Sequence, residues 1–457
     1  MLSASLRFVP DLRKHATSAW LLAALILAGC GADGKTSSTV VASPPGVPNV
    51  VMIVVDTLRA DRLGAWGQVR DTSPHIDELA SQSIRFSRAT SQAPWTTPST
   101  ASLLTSLYPH ELGIETEPNK VPDRAILLPE LLRDEGYQTF GVVASSFLSR
   151  QWNFDQGFSR FEDENVSGLL SITSPEVTKA AIKMIQRRDP AQPFFLFVHY
   201  FDPHFHYNDH SKFDFSDVKN EARPSETEAG PGDLSKGIEA VGPEVGQLFD
   251  AYDSEVGFTD HHIGRLLEYL RKQDLFDEAL IVFTADHGEE FLDHGGWKHA
   301  HSLYEEVIHV PLLFKLPQSR SGRVEDRQVG LIDVFPTITE IVGVDVEHPI
   351  SGASLFSAAE VRPVFSETSR NNNLQAVIYK GHKAIVDLND DDKWRLYDLS
   401  TDPAEKHDLA GERVELLDEL KEEVRRWRES TRTATEAESV VLDAEQTEQL
   451  KALGYLE

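Results

Sequence analysis

The chain has 457 residues, a formal net charge of −29 at pH 7, 40% apolar residues and one cysteine. The acidic balance excludes nucleic acid as a partner, because no Lys/Arg-rich stretch could neutralise phosphates. With Cys30 alone there is no internal disulfide, no cysteine-built metal site and no second thiol to serve as nucleophile.

Residues 1–30 read as a signal peptide. Arg7, Arg13 and Lys14 precede the apolar run AWLLAALILAG, which is too short for a membrane span and ends at Cys30. Leu27-Ala28-Gly29-Cys30 resembles a bacterial lipobox, which implies a lipid on Cys30 and a chain tethered in the cell envelope, at the outer membrane or the periplasmic face. A plainly cleaved signal is the alternative. Residues 31–47 are small, polar and Pro-containing, and read as a flexible tether.

The first folded element is Val50–Val55, a β-branched run of the kind buried on both faces of a sheet, ending at Asp56. SPHIDELASQSI has helical periodicity. Residues 93–110, APWTTPSTASLLTSLYPH, then open on Trp95, Thr96, Thr97 and Pro98 before a run of helix formers. Hydroxyls at a helix mouth either cap it or act as a nucleophile where the dipole favours an anion. SPEVTKAAIKMIQRR is a second helix. Phe194–Tyr200 is a second buried strand, running into Asp202 and His204. Residues 207–245 are polar and aperiodic and read as a surface insertion near the site, followed by a helix over DAYDSEVGFTDHHIGRLLEYLRKQ. Leu280–Thr284 is a third buried strand, ending at Asp286-His287. Residues 331–343 form the last helix of the main domain, and from about 362 short strands and a helix over 412–429 make an antiparallel subdomain.

Strands alternating with helices predict an α/β fold with a large sheet flanked by helices, residues 48–345, and a small antiparallel sheet with a helix, residues 346–457. Asp56, Asp202, His204, Asp286, His287, His299 and His301 gather at strand ends, the edge where open α/β sheets bind ligands. Each could cap a helix or sit satisfied in a core; together they suit a divalent hydrolytic metal site.

The order of VVDTLRADRLG, TTPSTASLLTSLYPH, FVHYFDPH, YDSEVGFTDHHIGRLL, TADHGEEFLDHG, HSLYEEVIHVPLL, LYDLSTDPAEKHDLA and LKALGYLE resembles the sulfatase family of the alkaline phosphatase superfamily. The resemblance implies metal ligands at Asp56, Asp286 and His287, with Thr57 standing where a second Asp is usual. It implies substrate-facing groups at His199, His204, Lys298, His299 and His301. It also exposes a departure. The family signature, cysteine-x-proline-x-arginine, lies here on Thr96, Pro98 and Thr100, so no formylglycine can form. Phosphate-handling relatives use a threonine nucleophile with Asp-His at the position of Asp286-His287 and hold a second metal; here that would take Asp202, His204 or His206, and His301.

What this implies is a metal-dependent hydrolase (one divalent Ca, Zn or Mn, or two) acting on a sulfate or phosphate ester of a small molecule, glycan or lipid. Thr96, bound to the metal, is the expected nucleophile, with Lys298 stabilising charge and His299 or His204 protonating the leaving oxygen. His199 and His301 are expected to bind substrate. The alternatives are a transferase moving phospho-alcohol head groups, and an inactive surface binding protein of the same fold.

Overall fold

The structure is a computed structural model. It describes residues 47–442 except 165–171, 206, 209, 214, 216–237, 358–360, 391–392 and 435, with 444 and 447 beyond; within 238–245 only the backbone is described. All of these belong to one compact unit, residues 41–457. The signal peptide with Cys30, the tether up to residue 46, and His206 lie outside the described residues.

The main sheet takes up β1 (Val50–Val55), β2 (Ile84–Thr90), β3 (Gln138–Val142), β4 (Arg160–Glu162), β5 (Phe194–Tyr200) and β6 (Leu280–Ala285). A short ribbon follows, β7 (Glu290–Phe291) with β8 (Trp297–Lys298), and then β9 (His309–Lys315) and β10 (Arg323–Gly330) complete the sheet. Its order is β10-β2-β9-β6-β1-β5-β3-β4. Only β9 runs against its neighbours; all other pairs are parallel. The central strands β1, β5 and β6 are buried along their whole length, which explains why their sequences carry no polar alternation.

The helices that flank the sheet are α1 (Pro74–Ala80), α2 (Thr96–Thr105), α3 (Leu128–Asp134), α4 (Ser174–Gln186), α5 (Ile238–Lys272) and α6 (Val334–Val342). One boundary departs from the sequence expectation. Helix α5 already begins at Ile238, inside the segment read as an aperiodic insertion to 245. Gly242, Pro243 and Gly246 disfavour helix in isolation, and they hid its first turns.

The second sheet is antiparallel, in the order β11 (Val364–Thr368), β12 (Leu374–Tyr379), β13 (His382–Asp387), β14 (Lys393–Asp398). Alternation along it serves two cores. Val377, Ala384 and Leu396 pack on Leu417, Leu420, Val424 and Trp427 of α7 (Val414–Ser430). Leu374, Ala376, Ile378 and Ile385 pack on Leu303, Val307 and Ile308 of the main body. On that second face Lys383 is fully buried, 3.0 Å from Glu305 and 3.0 Å from Glu405.

Candidate active site

The strand register builds the site. Val55 of β1 lies opposite Tyr200 of β5 and Ala285 of β6, so Asp56 and Asp286 leave the sheet side by side. His199, one residue before the end of β5, joins them. Asp56, His199 and Asp286 each offer a ligand atom within 4.8 Å of the others, and this is the one such group of three among the described residues.

All three side chains are fully buried. Neither carboxylate oxygen of Asp56 has a hydrogen-bond partner, nor has Asp286 Oδ2, nor either ring nitrogen of His199. The His199 Nε2 separations of 3.7 Å to Asp56 and 3.9 Å to Asp286 are too long for hydrogen bonds. Burial pushes the Asp56 carboxyl well up, and Asp286 and Glu289 nearby push it further. Burial would raise Asp286 as well, but His287 and His199 outweigh it and hold that carboxyl below its usual value. Its Oδ1 accepts the backbone N–H of Thr57 (3.2 Å) and of His287 (2.8 Å), which fixes its direction.

His287 completes the cluster. Its Nδ1 donates to the Gly288 carbonyl (2.9 Å), so a neutral ring presents its Nε2 lone pair. That atom lies 3.6 Å from Asp56 Oδ1, 3.5 Å from Asp286 Oδ2 and 3.4 Å from Thr96 Oγ1. Such unsatisfied buried acids beside imidazole lone pairs are costly alone and fit a divalent cation. The group that could hold such an ion includes His199, for which a place beside the substrate was expected.

Thr96 is the first residue of α2, and Trp95 is its N-cap. Neither threonine caps the helix: no side chain bonds the N-cap end, and the Thr97 hydroxyl is buried without a partner. Thr96 faces His287, while Thr100, where the family arginine falls, is fully buried in α2. Around the cluster the backbone is strained, with left-handed conformations at Thr57 (φ 53°), Lys298 (φ 69°) and Ala300 (φ 73°). The Thr57 turn is held by α5, since the Tyr252 hydroxyl donates to the Thr57 carbonyl at 2.6 Å.

A second layer comes from residues 289–301. His299 Nδ1 is 2.8 Å from Glu289 Oε1, and the Tyr207 hydroxyl donates to Glu289 Oε2 at 3.1 Å. The His299 ring lies 4.5 Å from that of His287 and 5.1 Å from that of His204. Burial, reinforced by the neighbouring imidazoles, pushes His299 well down and His204 down to about 3, so both rest as neutral rings. His204 Nδ1 donates to the Phe205 carbonyl (2.7 Å), so in the neutral ring Nε2 is the acceptor. Lys298 Nζ sits over the Phe205 ring at 4.1 Å, and burial lowers its pKa.

Two of the residues proposed for a second metal are engaged elsewhere among the described residues. Asp202 caps α4 instead, accepting the N–H of Thr173 (3.1 Å) and Ser174 (2.7 Å). His301 is paired with Glu290 through Nε2 at 2.8 Å, and burial yields to that carboxylate in raising its pKa. Sequence reasoning missed Glu289. Its signal was its place in the turn after Asp286-His287, held by Gly288, where a Cβ would overlap the Glu306 carbonyl oxygen.

A comparison with known families decides the identity of the fold. The sulfatase family model matches residues 48–344, and the C-terminal model of N-sulphoglucosamine sulphohydrolase matches residues 293–430. The chain belongs to the sulfatase family. This sulfatase-family ester hydrolase has the mixed eight-stranded sheet and small antiparallel sheet of its structural neighbours. It is 24% identical to an N-acetylglucosamine-6-O-sulfatase of Bacteroides thetaiotaomicron, over 85% of this chain and 86% of the relative. Among solved structures it is similar to a protein bound to its substrate D-glucosamine-2-N,6-O-disulfate, with a TM-score of 0.73 and 20% identity over 86% of this chain and 100% of that one. It also resembles the phosphonate monoester hydrolase of Agrobacterium radiobacter, with a TM-score of 0.67 and 20% identity over 84% and 96%.

Proposed function

We propose that the chain cleaves sulfate or phosphate esters, those of sugars in particular, in two steps through an ester on Thr96. The observation that carries this reading is the Thr96 hydroxyl, 3.4 Å from His287 Nε2 at the N-terminus of α2 and beside the unsatisfied Asp56 carboxylate. A divalent metal held by Asp56, Asp286, His199 and His287 would acidify that hydroxyl and offset the charge of the ester. The sulfated sugar in one structural neighbour and the phosphonate ester cleaved by another support both ester classes.

In the first step Thr96 Oγ bonds to sulfur or phosphorus while the bond to the leaving alcohol breaks. The hydroxyl proton passes through His299, oriented by Glu289, to the departing oxygen. In the second step water attacks the same atom, gives its proton to His299, and the Thr96 oxygen leaves and is reprotonated. Lys298 adds positive charge beside the equatorial oxygens. A formylglycine aldehyde can eliminate its sulfate; a threonine ester cannot, so water must open it at sulfur or phosphorus.

The test is Thr96→Ala and Thr96→Ser in the purified protein, with 4-nitrophenyl sulfate and 4-nitrophenyl phosphonate and phosphate esters. Acid-quenched wild-type protein should gain the mass of one sulfuryl or phosphoryl group on the peptide containing Thr96. Undiminished turnover by Thr96→Ala would remove the residue from the reaction. Location is part of the proposal: a lipid on Cys30 would hold the site in the cell envelope, and Cys30→Ser should then release active protein from the membrane fraction.

A further inference from the structure

The turn that carries Asp56 out of β1 is fixed from both sides. Before it, the Asp56 N–H donates to the Tyr200 carbonyl at 2.9 Å, which extends the pairing of β1 with β5. After it, the chain is held by a side chain of α5. The Tyr252 hydroxyl donates to the Thr57 carbonyl (2.6 Å) and accepts the Arg59 N–H (3.0 Å), so one oxygen brackets Leu58. Tyr252 and Thr57 are both fully buried, and burial keeps the phenol protonated and able to donate.

Thr57 itself resists this arrangement. Its φ is 53°, where the Cβ of a β-branched residue crowds the backbone. Such a conformation persists only where its surroundings over-determine it. What it provides is direction, because the Thr57 N–H then donates to Asp286 Oδ1 at 3.2 Å. Neither carboxylate oxygen of Asp56 has a hydrogen-bond partner, so that carboxylate is aimed by its backbone. The strained turn therefore aims one acid and braces the other. The Tyr252 ring has a separate contact, edge-on against Tyr207 at 5.6 Å between centroids, and a phenylalanine would keep it.

We propose that Tyr252 is a positioning residue of the metal site, whose hydroxyl keeps Thr57 left-handed and so holds Asp56 and Asp286 at the spacing one cation needs. This rests on the reading of Asp56, Asp286, His199 and His287 as donors to a divalent metal. Cation affinity then depends on a helix that supplies no donor of its own.

The experiment is calorimetric titration of the chelator-treated protein with Ca2+, Mn2+ and Zn2+. Tyr252→Phe keeps the ring and removes only the hydroxyl. It should weaken the cation that wild type binds most tightly by about 10- to 100-fold, the usual loss for a group that orients metal ligands. In the Thr57→Gly background, where no Cβ opposes a positive φ, the same substitution should cost less than about threefold. Tyr252→Phe protein that binds as tightly as wild type, whatever its Tm, overturns the proposal. An equal loss in both backgrounds also overturns it, because Tyr252 would then act otherwise than through Thr57. Should Tyr252→Phe alone fail to fold, Thr57→Gly is compared with Thr57→Gly/Tyr252→Phe; a loss under about threefold upholds the proposal and a larger one overturns it. Wild type that binds none of the three cations sinks the metal reading and this role with it, a result distinct from tight binding that the hydroxyl does not govern.

Discussion

The Thr96 hydroxyl oxygen stands 3.4 Å from His287 Nε2. One residue on, the hydroxyl of Thr97 is buried and bonds nothing, so two adjacent threonines of the same helix turn differ completely in chemistry. Thr97→Val, which removes an unsatisfied polar group, should change stability by no more than about 1 kcal/mol and toward stabilisation. Thr96→Val should lower kcat by about a thousandfold or more. Comparing the two by thermal unfolding and steady-state kinetics separates a reacting hydroxyl from a buried spectator. Equal kinetic losses would contradict the assignment.

Asp56 and Asp286 are two buried acids, with Glu289 adding to the repulsion. Metal binding should relieve this. At a metal concentration a hundredfold above Kd the gain is about 2.7 kcal/mol. A chelator should therefore lower the Tm of wild type by a few degrees. Asp56→Asn should do the reverse: the metal-free protein melts higher than metal-free wild type, and added metal no longer raises its Tm. A variant that still responds to metal would place the donor set elsewhere.

Glu289 holds His299 through Nδ1 and is itself held by Tyr207. Glu289→Gln keeps the size but loses the charge that fixes the imidazole tautomer. The expected result is a drop in kcat of about 10- to 100-fold with KM nearly constant, as for other groups that orient a proton carrier. Unchanged kcat would mean that His299 carries no proton.

Lys383 is shared by two carboxyls, and burial pushes Glu405 up to about 7 while Lys383 and other cations hold Glu305 low despite its burial. A folded-state carboxyl pKa above the unfolded value favours folding below about pH 4.5, and that contribution is lost as pH rises through 7. Glu405→Gln fixes the neutral form and keeps a carbonyl to accept the Glu305 N–H. The variant should melt near wild type at pH 5 and above it by pH 8. A Tm difference that stays constant between those pH values would refute this charge distribution.

Much of the fold was legible because its signals are local. The runs at Val50–Val55, Phe194–Tyr200 and Leu280–Ala285 are strands buried on both faces, and nothing but a central sheet accommodates them. Asp56, Asp286 and His287 were legible from the order of motifs. What escaped depends on distant partners. Asp202 looks like a ligand until Thr173 and Ser174 offer it their N–H groups. His199 reads as one more residue of a hydrophobic strand, and only the pairing of β5 with β1 places its ring beside two acids. Arg370 lies in a polar turn with no pattern of its own, and its contacts with Trp95 and Glu117 come from distant segments of the chain. The start of α5 was lost to Gly242 and Pro243, which signal a break that the folded chain does not make.

The parallel pairing of β1 with both β5 and β6 also sets when the site can come into being. Each of these strands delivers one member of the Asp56, His199 and Asp286 group, and each pairing closes a long loop. Loop closure of this kind is slow, and no partly folded chain lacking either neighbour of β1 holds all three donors. Acquisition of metal affinity during refolding would therefore mark the assembly of the sheet centre.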